Sequence, residues 1–223
     1  MVIMSEQPKI FQIGFNRCGT KTLHMFFLKN GLSSVHWDKG RLAVTMYQNV
    51  LAGRRLLAGY EQYTCFTDME NALTGRIYFE GYKLYPQLLR ASPDAYFILN
   101  TRDMERWIQS RLKHEGGRYK ALHKSIWRVS TDEALAKIWR REWRRHHADV
   151  TEYFEGHPRF MVFDIEADDP QALVDFLGDF TLDAAHYGWE REWHPDFPSI
   201  PDNASAPHSA ASEPGSAPAR PER

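Results

Sequence analysis

FQIGFNRCGTKTLH, residues 11–24, leads from a short apolar run into a helical pattern through a loop bounded by Gly14 and Gly19. The two glycines permit a tight turn and allow main-chain N–H groups to come close to a ligand. Hydroxyl donors and cations cluster in the same loop: Arg17, Thr20, Lys21 and Thr22. Because the free N–H groups and the dipole of a helix N-terminus also attract anions, the stretch predicts an anion site between a strand and a helix.

The rest of the chain repeats this order of strand and helix. Short apolar runs predict strands at 9–14, 33–37, 63–67, 95–101 and 159–165. Helical patterns follow at 22–32, 39–58, 81–91 (broken internally by Pro86), 103–113, 132–154 and 170–180. The alternation predicts an α/β fold, a three-layer αβα arrangement with a central parallel sheet of about five strands, like that of the P-loop NTPases. Ligands of such sheets bind beyond the carboxyl ends of the strands.

Length and composition favour one folded domain with a tail. The chain has 223 residues, 43% of them apolar, which is enough for a packed core. We expect a single α/β domain over 1–198 and a disordered tail over 199–223, which is rich in Ser, Ala and Pro. Residues 114–131, rich in Gly, Lys and His, are expected to be irregular and to lie over the site as an acceptor lid.

Charge and cysteine content exclude several classes of function. The formal net charge of −1 gives no overall basic field for nucleic acid, so an anion site must be built locally. Cys18 and Cys65 form no metal-ligand pattern, and as free thiols they favour a reducing, cytoplasmic location. The sequence shows no signal peptide and no apolar run long enough for a membrane span. We expect no metal, while oligomer formation stays open.

Two other phosphate chemistries compete for the first loop. A P-loop kinase or triphosphatase has Lys followed directly by Ser or Thr after the second glycine, whereas here Thr20 precedes Lys21. The strand ending at Asp164 would then supply the acid that supports Mg²⁺. A cysteine phosphatase needs Arg six residues after Cys18, where His24 stands, so this interpretation fails. Cys18 is best interpreted as a small residue that fills the loop.

Two segments resemble the sulfotransferases that use 3′-phosphoadenylyl sulfate, while SVHWDKG (34–40) and FTDMENAL (66–73) are similar to the small bacterial and eukaryotic branch of that family. NRCGTKTL, residues 16–23, is similar to the loop that holds the 5′-phosphosulfate of the donor in that family. AYFILNTRDMERWIQSRLKH, residues 95–114, has Arg102, then Asp103, then Ser110 eight residues after the arginine, which is the family's spacing. In that family the arginine and the serine bind the 3′-phosphate of the donor.

The resemblance implies transfer of a sulfuryl group from 3′-phosphoadenylyl sulfate to an acceptor hydroxyl or amine by in-line attack. The acceptor would be a small molecule, a carbohydrate or a lipid. Arg17 takes the place of the family's catalytic cation, and Lys21 assists it or holds the 5′-phosphate. The implied donor-binding residues are Arg17, Cys18, Gly19, Thr20, Lys21, Thr22, Arg102 and Ser110.

A base near the acceptor hydroxyl would accelerate such a transfer by about 10²–10⁴-fold. Asp68 follows the third predicted strand, where the family often places His or an acid, although it also suits the N-cap of a helix. His36 and Asp38 follow the second predicted strand and form the alternative pair, and Glu70 is a third candidate.

Two alternatives to a sulfotransferase stay open at the level of sequence. A P-loop nucleotide kinase or NTPase would use Mg-ATP, with Asp164 directed at the loop. A catalytically silent member would bind nucleotide or a partner without turnover. The family's late basic loop, which closes over the donor, has no counterpart in residues 189–201.

Overall fold

A computed structural model describes residues 7–72 and 78–188 of the chain. In these ranges the strands are β1 (Ile10–Gln12), β2 (Ser34–His36), β3 (Cys65–Thr67), β4 (Glu70–Asn71), β5 (Phe79–Glu80), β6 (Tyr96–Thr101) and β7 (Phe160–Asp164). The helices are α1 (Thr20–Lys29), α2 (Arg41–Leu51), α3 (Tyr85–Ala91), α4 (Met104–Lys113), α5 (Arg118–Trp127), α6 (Asp132–Tyr153) and α7 (Gln171–Phe176). The expected tail and the stretch 189–201 lie outside the described residues.

Five parallel strands form the central sheet in the order β2-β3-β1-β6-β7. Successive residues of β6 point to opposite faces, as strand geometry requires. Ile98 packs on one face with Leu23, Phe26 and Leu173 of α1 and α7. The other face carries residues from β1, β3, β6, α2, α4 and α6, among them Phe11, Phe66, Phe97, Met46, Trp107 and Trp139. The predicted three-layer αβα arrangement is therefore confirmed.

The order of the strands places a crevice beside β1. After β1 the chain builds β2 and β3 on one side of it, and then crosses to build β6 and β7 on the other side. Such a reversal separates the connections that leave the carboxyl ends of two neighbouring strands, here β1 and β6, and ligands of open α/β sheets bind there. The loop after β1 and Arg102 after β6 both lie at this edge.

Two local predictions were wrong. Residues 114–131 are not irregular: a 3₁₀ turn at His114–Gly117 leads into α5. The glycines are confined to that turn, where Gly116 and Gly117 have positive φ, while Tyr119 and His123 place one face of α5 in the core. Pro86 does not break a helix but stands in the first turn of α3, where a missing N–H has no cost.

Asp68 does not cap a helix. The residues after it form β4, which pairs antiparallel with β5. Asp68 itself has φ of +54°, and its main-chain N–H donates to Gln12 Oε1 at 2.8 Å. The polar side chain of β1 therefore fixes the chain reversal that follows β3. Asp103, by contrast, does cap the helix α4, because its carboxylate accepts from Arg106 N at 2.8 Å.

Candidate functional site

The loop between β1 and α1 is bound at several points by one buried amide, Asn100 at the end of β6. Its Nδ2 donates to the carbonyls of Cys18 at 2.6 Å and Phe15 at 3.3 Å. Its Oδ1 accepts from Gly14 N at 2.9 Å and from Gln12 Nε2. A Cβ at position 14 would overlap Asn100, so glycine is required there. The loop is thus attached to both central strands of the sheet.

The first turn of α1 is open for an anion. Gly19 precedes the helix with φ of +73°, and no side chain of the described residues caps the helix N-terminus. The hydroxyl residues Thr20 and Thr22 are buried, whereas Lys21 is exposed. Because the first N–H groups of a helix lack partners within the helix, this turn can bind an anion.

Arg17 connects the two segments that the sequence singled out. It is exposed, has φ of +63°, and its Nε donates to Ser110 Oγ at 3.1 Å. Arg102 Nη1 donates to the carbonyl of Arg17 at 3.2 Å. The glycine loop, the end of β6 and the helix α4 therefore present two guanidinium groups and one hydroxyl at a single place.

Arg102 also pairs with an acid that the sequence analysis missed. Its Nη2 donates to Glu166 Oε1, while its Nε is buried and makes no hydrogen bond within the described residues. The two side chains line a cavity of about 230 Å³ together with Thr22, Ile165 and Tyr187. Glu166 lies two residues after β7, at the sheet edge where ligands were expected to bind. That position is the sequence signal by which Glu166 could have been identified as a site residue.

His36 and Asp68 meet at the ends of β2 and β3. Their nearest atoms, Nε2 and Oδ2, are 3.7 Å apart. Thr67 Oγ1 lies 3.0 Å from His36 Nδ1 and 3.2 Å from the carbonyl of Val35, and its single proton can go to one of them. When that proton goes to Val35, His36 carries its own proton on Nδ1, and its Nε2 presents a lone pair toward Asp68.

Burial shifts both pKa values away from their usual range. It lowers the pKa of His36 to about 3, with smaller contributions from the charges of His24 and Lys21. The His24 ring stacks on that of His36 with centroids 5.3 Å apart. Burial, and then the nearby carboxylate of Glu70, raise the pKa of Asp68 well above its usual range. At neutral pH His36 is uncharged, and Asp68 holds a proton more tightly than an exposed aspartate would.

Glu70 and Arg111 form a buried charge cluster behind the loop, which the sequence analysis did not foresee. Arg111 Nη2 lies 3.8 Å from Glu70 Oε2, and Tyr119 bridges the two through its hydroxyl. Asn16 Nδ2 donates to Glu70 Oε1 at 2.5 Å, which ties the cluster to the first loop. Four aromatic rings lie within 6 Å of the Arg111 guanidinium carbon: Phe15, Trp107, Tyr119 and Trp139. Glu70 is consequently a structural partner of Arg111 and not an available base.

Three further acidic or thiol side chains are engaged elsewhere. Asp38 binds Arg41 at 2.6 Å and the hydroxyl of Tyr60 at 2.5 Å, so it cannot serve as the partner of His36. Asp164 Oδ1 accepts from Glu166 N at 2.9 Å and so stabilises the turn after β7. Burial raises the pKa of the Cys18 thiol, as befits a residue that fills the loop. The described residues contain no cluster of ligands that would hold a metal ion.

Comparison with known proteins identifies the family. A family model described as a sulfotransferase domain matches residues 9–184. The fold is similar to that of a crystal structure of a sulfotransferase from Alicyclobacillus acidocaldarius, at 17% identity and a TM-score of 0.47, over 86% of this chain and 88% of that one. No curated protein matches the sequence. In the described residues no helix is long and apolar enough to cross a membrane. On the match over residues 9–184, this chain belongs to the sulfotransferase family.

Proposed function

We propose that this protein transfers a sulfuryl group from 3′-phosphoadenylyl sulfate to an acceptor hydroxyl or amine. One observation carries the proposal: Arg17, Arg102 and Ser110 converge on the glycine loop at the β1/β6 crevice. A donor with phosphate groups on both the 3′ and the 5′ oxygen of its ribose needs two anion sites side by side. The first turn of α1 and the Arg102–Ser110 pair supply two such sites.

The residues at the second site fit a phosphate. Arg102 has a buried Nε without a partner in the described residues, on a guanidinium whose fork suits two phosphate oxygens. We assign Arg102 and Ser110 to the 3′-phosphate, and the loop residues Cys18, Gly19, Thr20, Lys21 and Thr22 to the 5′-phosphosulfate. Cys18 contributes through its main chain, because its side chain is fully buried.

The donor supplies an activated sulfuryl group, and the protein positions and neutralises it. Arg17, exposed on its left-handed turn, offsets negative charge on the transferred group and the leaving oxygen, and Lys21 assists from the first turn of α1. Asp68 takes the proton of the acceptor hydroxyl as the new S–O bond forms and the bond to the donor phosphate breaks. His36, neutral and 3.7 Å from Asp68, can accept a hydrogen bond from that carboxyl once it has taken the proton.

The kinase alternative receives less support from the site. It requires Asp164 to serve Mg²⁺ at the loop, whereas its Oδ1 accepts from the turn that follows β7. Lys21 is also displaced by one residue from the position that such an enzyme requires. Mg-ATP therefore serves as the comparison ligand in the experiment below.

Calorimetry with 3′,5′-adenosine bisphosphate and with Mg-ATP tests the donor assignment. We expect the bisphosphate to bind more tightly, and Arg102→Ala to weaken it by about 100-fold, since a charge-assisted bidentate contact contributes about 2–3 kcal/mol. Arg55→Ala removes an exposed arginine, 83% of whose side chain is accessible, and serves as the control for net charge. Tighter binding of Mg-ATP, together with no effect of Arg102→Ala, would reject the donor assignment.

The pH dependence of turnover tests the assignment of Asp68. A base must be ionised to act, so activity should fall as the pH falls through the raised pKa of Asp68, at a pH well above that expected for an ordinary aspartate. Asp68→Asn should lower kcat by about 100-fold and remove this limb of the profile. His36→Gln should retain the limb with a smaller loss of kcat. An unchanged profile in Asp68→Asn would rule the assignment out.

A further inference from the structure

The guanidinium of Arg102 makes one contact with the main chain and one with a carboxylate that a ligand could replace. Its Nη1 donates to the main-chain carbonyl of Arg17 at 3.2 Å, which keeps the guanidinium at the crevice. Its Nη2 donates to the carboxylate of Glu166, and both side chains are about one-fifth exposed. Because Nε faces no partner in the described residues, a phosphate on the Nε–Nη2 edge would satisfy Nε and bring a second anion to Nη2, beside the carboxylate of Glu166.

The turn that carries Glu166 does not depend on that ion pair. Glu166 N donates to Asp164 Oδ1 at 2.9 Å, and Asp164 N donates to Asp168 Oδ2 at 2.8 Å. Asp168 N in turn donates to the carbonyl of Asp164 at 2.9 Å. These bonds fix the backbone at Glu166, so its side chain can leave Arg102 while the turn keeps its shape.

A second cation, Arg106, lies close enough to bind the carboxylate of Glu166 when it leaves Arg102. Arg106 Nη1 lies 3.6 Å from Glu166 Oε2, and 70% of the Arg106 side chain is exposed. Asp103 N also donates to Glu166 Oε2, at 3.4 Å. A carboxylate that releases Arg102 therefore keeps favourable partners and does not become an isolated charge.

We propose that Glu166 is a displaceable counter-ion of Arg102. Its carboxylate lowers the affinity of the site for a 3′-phosphate, and it moves from Arg102 to Arg106 when that phosphate binds. The inference rests on the proposed function, since it takes the phosphate at Arg102 to belong to the donor. A nucleotide without a 3′-phosphate leaves the Arg102–Glu166 pair intact. After transfer, Glu166 recaptures Arg102 and so speeds the release of 3′,5′-adenosine bisphosphate, a step that limits many enzymes.

Calorimetry of Glu166→Gln with 3′,5′-adenosine bisphosphate and with 5′-AMP tests this role. We expect the bisphosphate to bind about tenfold more tightly than to the wild type, as removal of a competing half-buried ion pair implies, and 5′-AMP to bind equally well to both. Asp169→Asn is the matched control, because it removes one charge from the same turn. Gln171 N donates to Asp169 Oδ1 at 2.9 Å, and the side-chain oxygen of asparagine can accept the same hydrogen bond. The affinities of this control should match those of the wild type.

Arg106→Ala gives a second, independent measurement. It should weaken bisphosphate binding by about threefold in the wild type, because displaced Glu166 loses its new partner, and should have no effect in the Glu166→Gln background. Unchanged bisphosphate affinity in Glu166→Gln overturns the inference. Equal weakening of both nucleotides would instead show that Glu166 binds the ribose, and it also overturns the inference.

Different results would reject the proposed function and the counter-ion role of Glu166. If the wild type does not bind the bisphosphate, the proposed function falls, and the role of Glu166 falls with it. If the wild type binds the bisphosphate and Arg102→Ala weakens it, the donor assignment stands whatever Glu166→Gln shows. In that case only the counter-ion role is decided by the glutamate variant.

Discussion

Arg17→Ala is expected to lower kcat by about 10³-fold, the lower end of the range for arginines that neutralise charge in the transition state of phosphoryl transfer. Within the described residues its side chain makes one hydrogen bond, from Nε to Ser110 Oγ. The two terminal nitrogens have no partner in those residues, so they are available to a ligand. Steady-state kinetics with 3′-phosphoadenylyl sulfate and a panel of hydroxyl acceptors measures the loss.

The loop itself should survive this substitution. Its bonds to Asn100 involve the main chain of Gly14, Phe15 and Cys18 and not the side chain of Arg17. Alanine and arginine both carry a Cβ, so the strain of φ +63° is similar in the two. Affinity for 3′,5′-adenosine bisphosphate should therefore change by less than about tenfold, because the interactions that Arg17→Ala removes stabilise mainly the transition state.

Arg17→Lys is the matched control and should recover part of the rate, since it keeps the charge without the planar fork. Weaker donor affinity with kcat unchanged in Arg17→Ala would show that Arg17 only binds the donor and does not stabilise the transition state. A wild type that binds the bisphosphate but transfers to no acceptor would identify the chain as a silent member of its family, with no rate for Arg17→Ala to reduce.

Arg111→Met is expected to lower the free energy of unfolding by about 3–5 kcal/mol, because it leaves Glu70 buried without its cation. Both side chains are almost inaccessible, at 2% for Arg111 and 5% for Glu70. Burial already raises the pKa of Glu70, and the charge of Arg111 opposes that shift, so without Arg111 the pKa of Glu70 would rise further. Urea unfolding followed by tryptophan fluorescence measures the change.

The double variant separates the lost pairing from the lost packing. Arg111→Met combined with Glu70→Gln removes both charges and should recover at least half of the loss, since methionine still fills the space between Trp107 and Trp139. Arg118→Met, at an exposed position in α5, is the control and should change stability by less than about 0.5 kcal/mol. A double variant no more stable than Arg111→Met would mean that packing, not charge, dominates the cluster.

The sequence allowed prediction of the features that depend on local pattern. The periodicity of apolar residues predicted the strands of the sheet, and the glycines around Arg17 predicted the loop after β1. Arg102 and Ser110 were singled out because residues 95–114 resemble a segment of the sulfotransferases that has the same spacing. The roles of these residues stay predictions, whereas the proximity of their side chains is a feature of the structure.

Features built from distant segments were beyond prediction. Glu70 of β4 and Arg111 of α4 meet only through their side chains, 3.8 Å apart, and they lie far apart in the sequence. Glu166 reaches Arg102 across 64 positions. The alternative of a helix cap at Asp68 was wrong for the same reason: its conformation is set by Gln12, from a strand 56 residues earlier.

The attachment of Asn100 links the ligand loop to the sheet. One amide group joins the loop to the end of β6, and Gln12 joins the same amide to the chain after β3. Partial opening of the loop would leave these buried amides without partners, which is costly away from water. We therefore expect the loop to be strongly protected and to lose its shape together with the junction of β1 and β6.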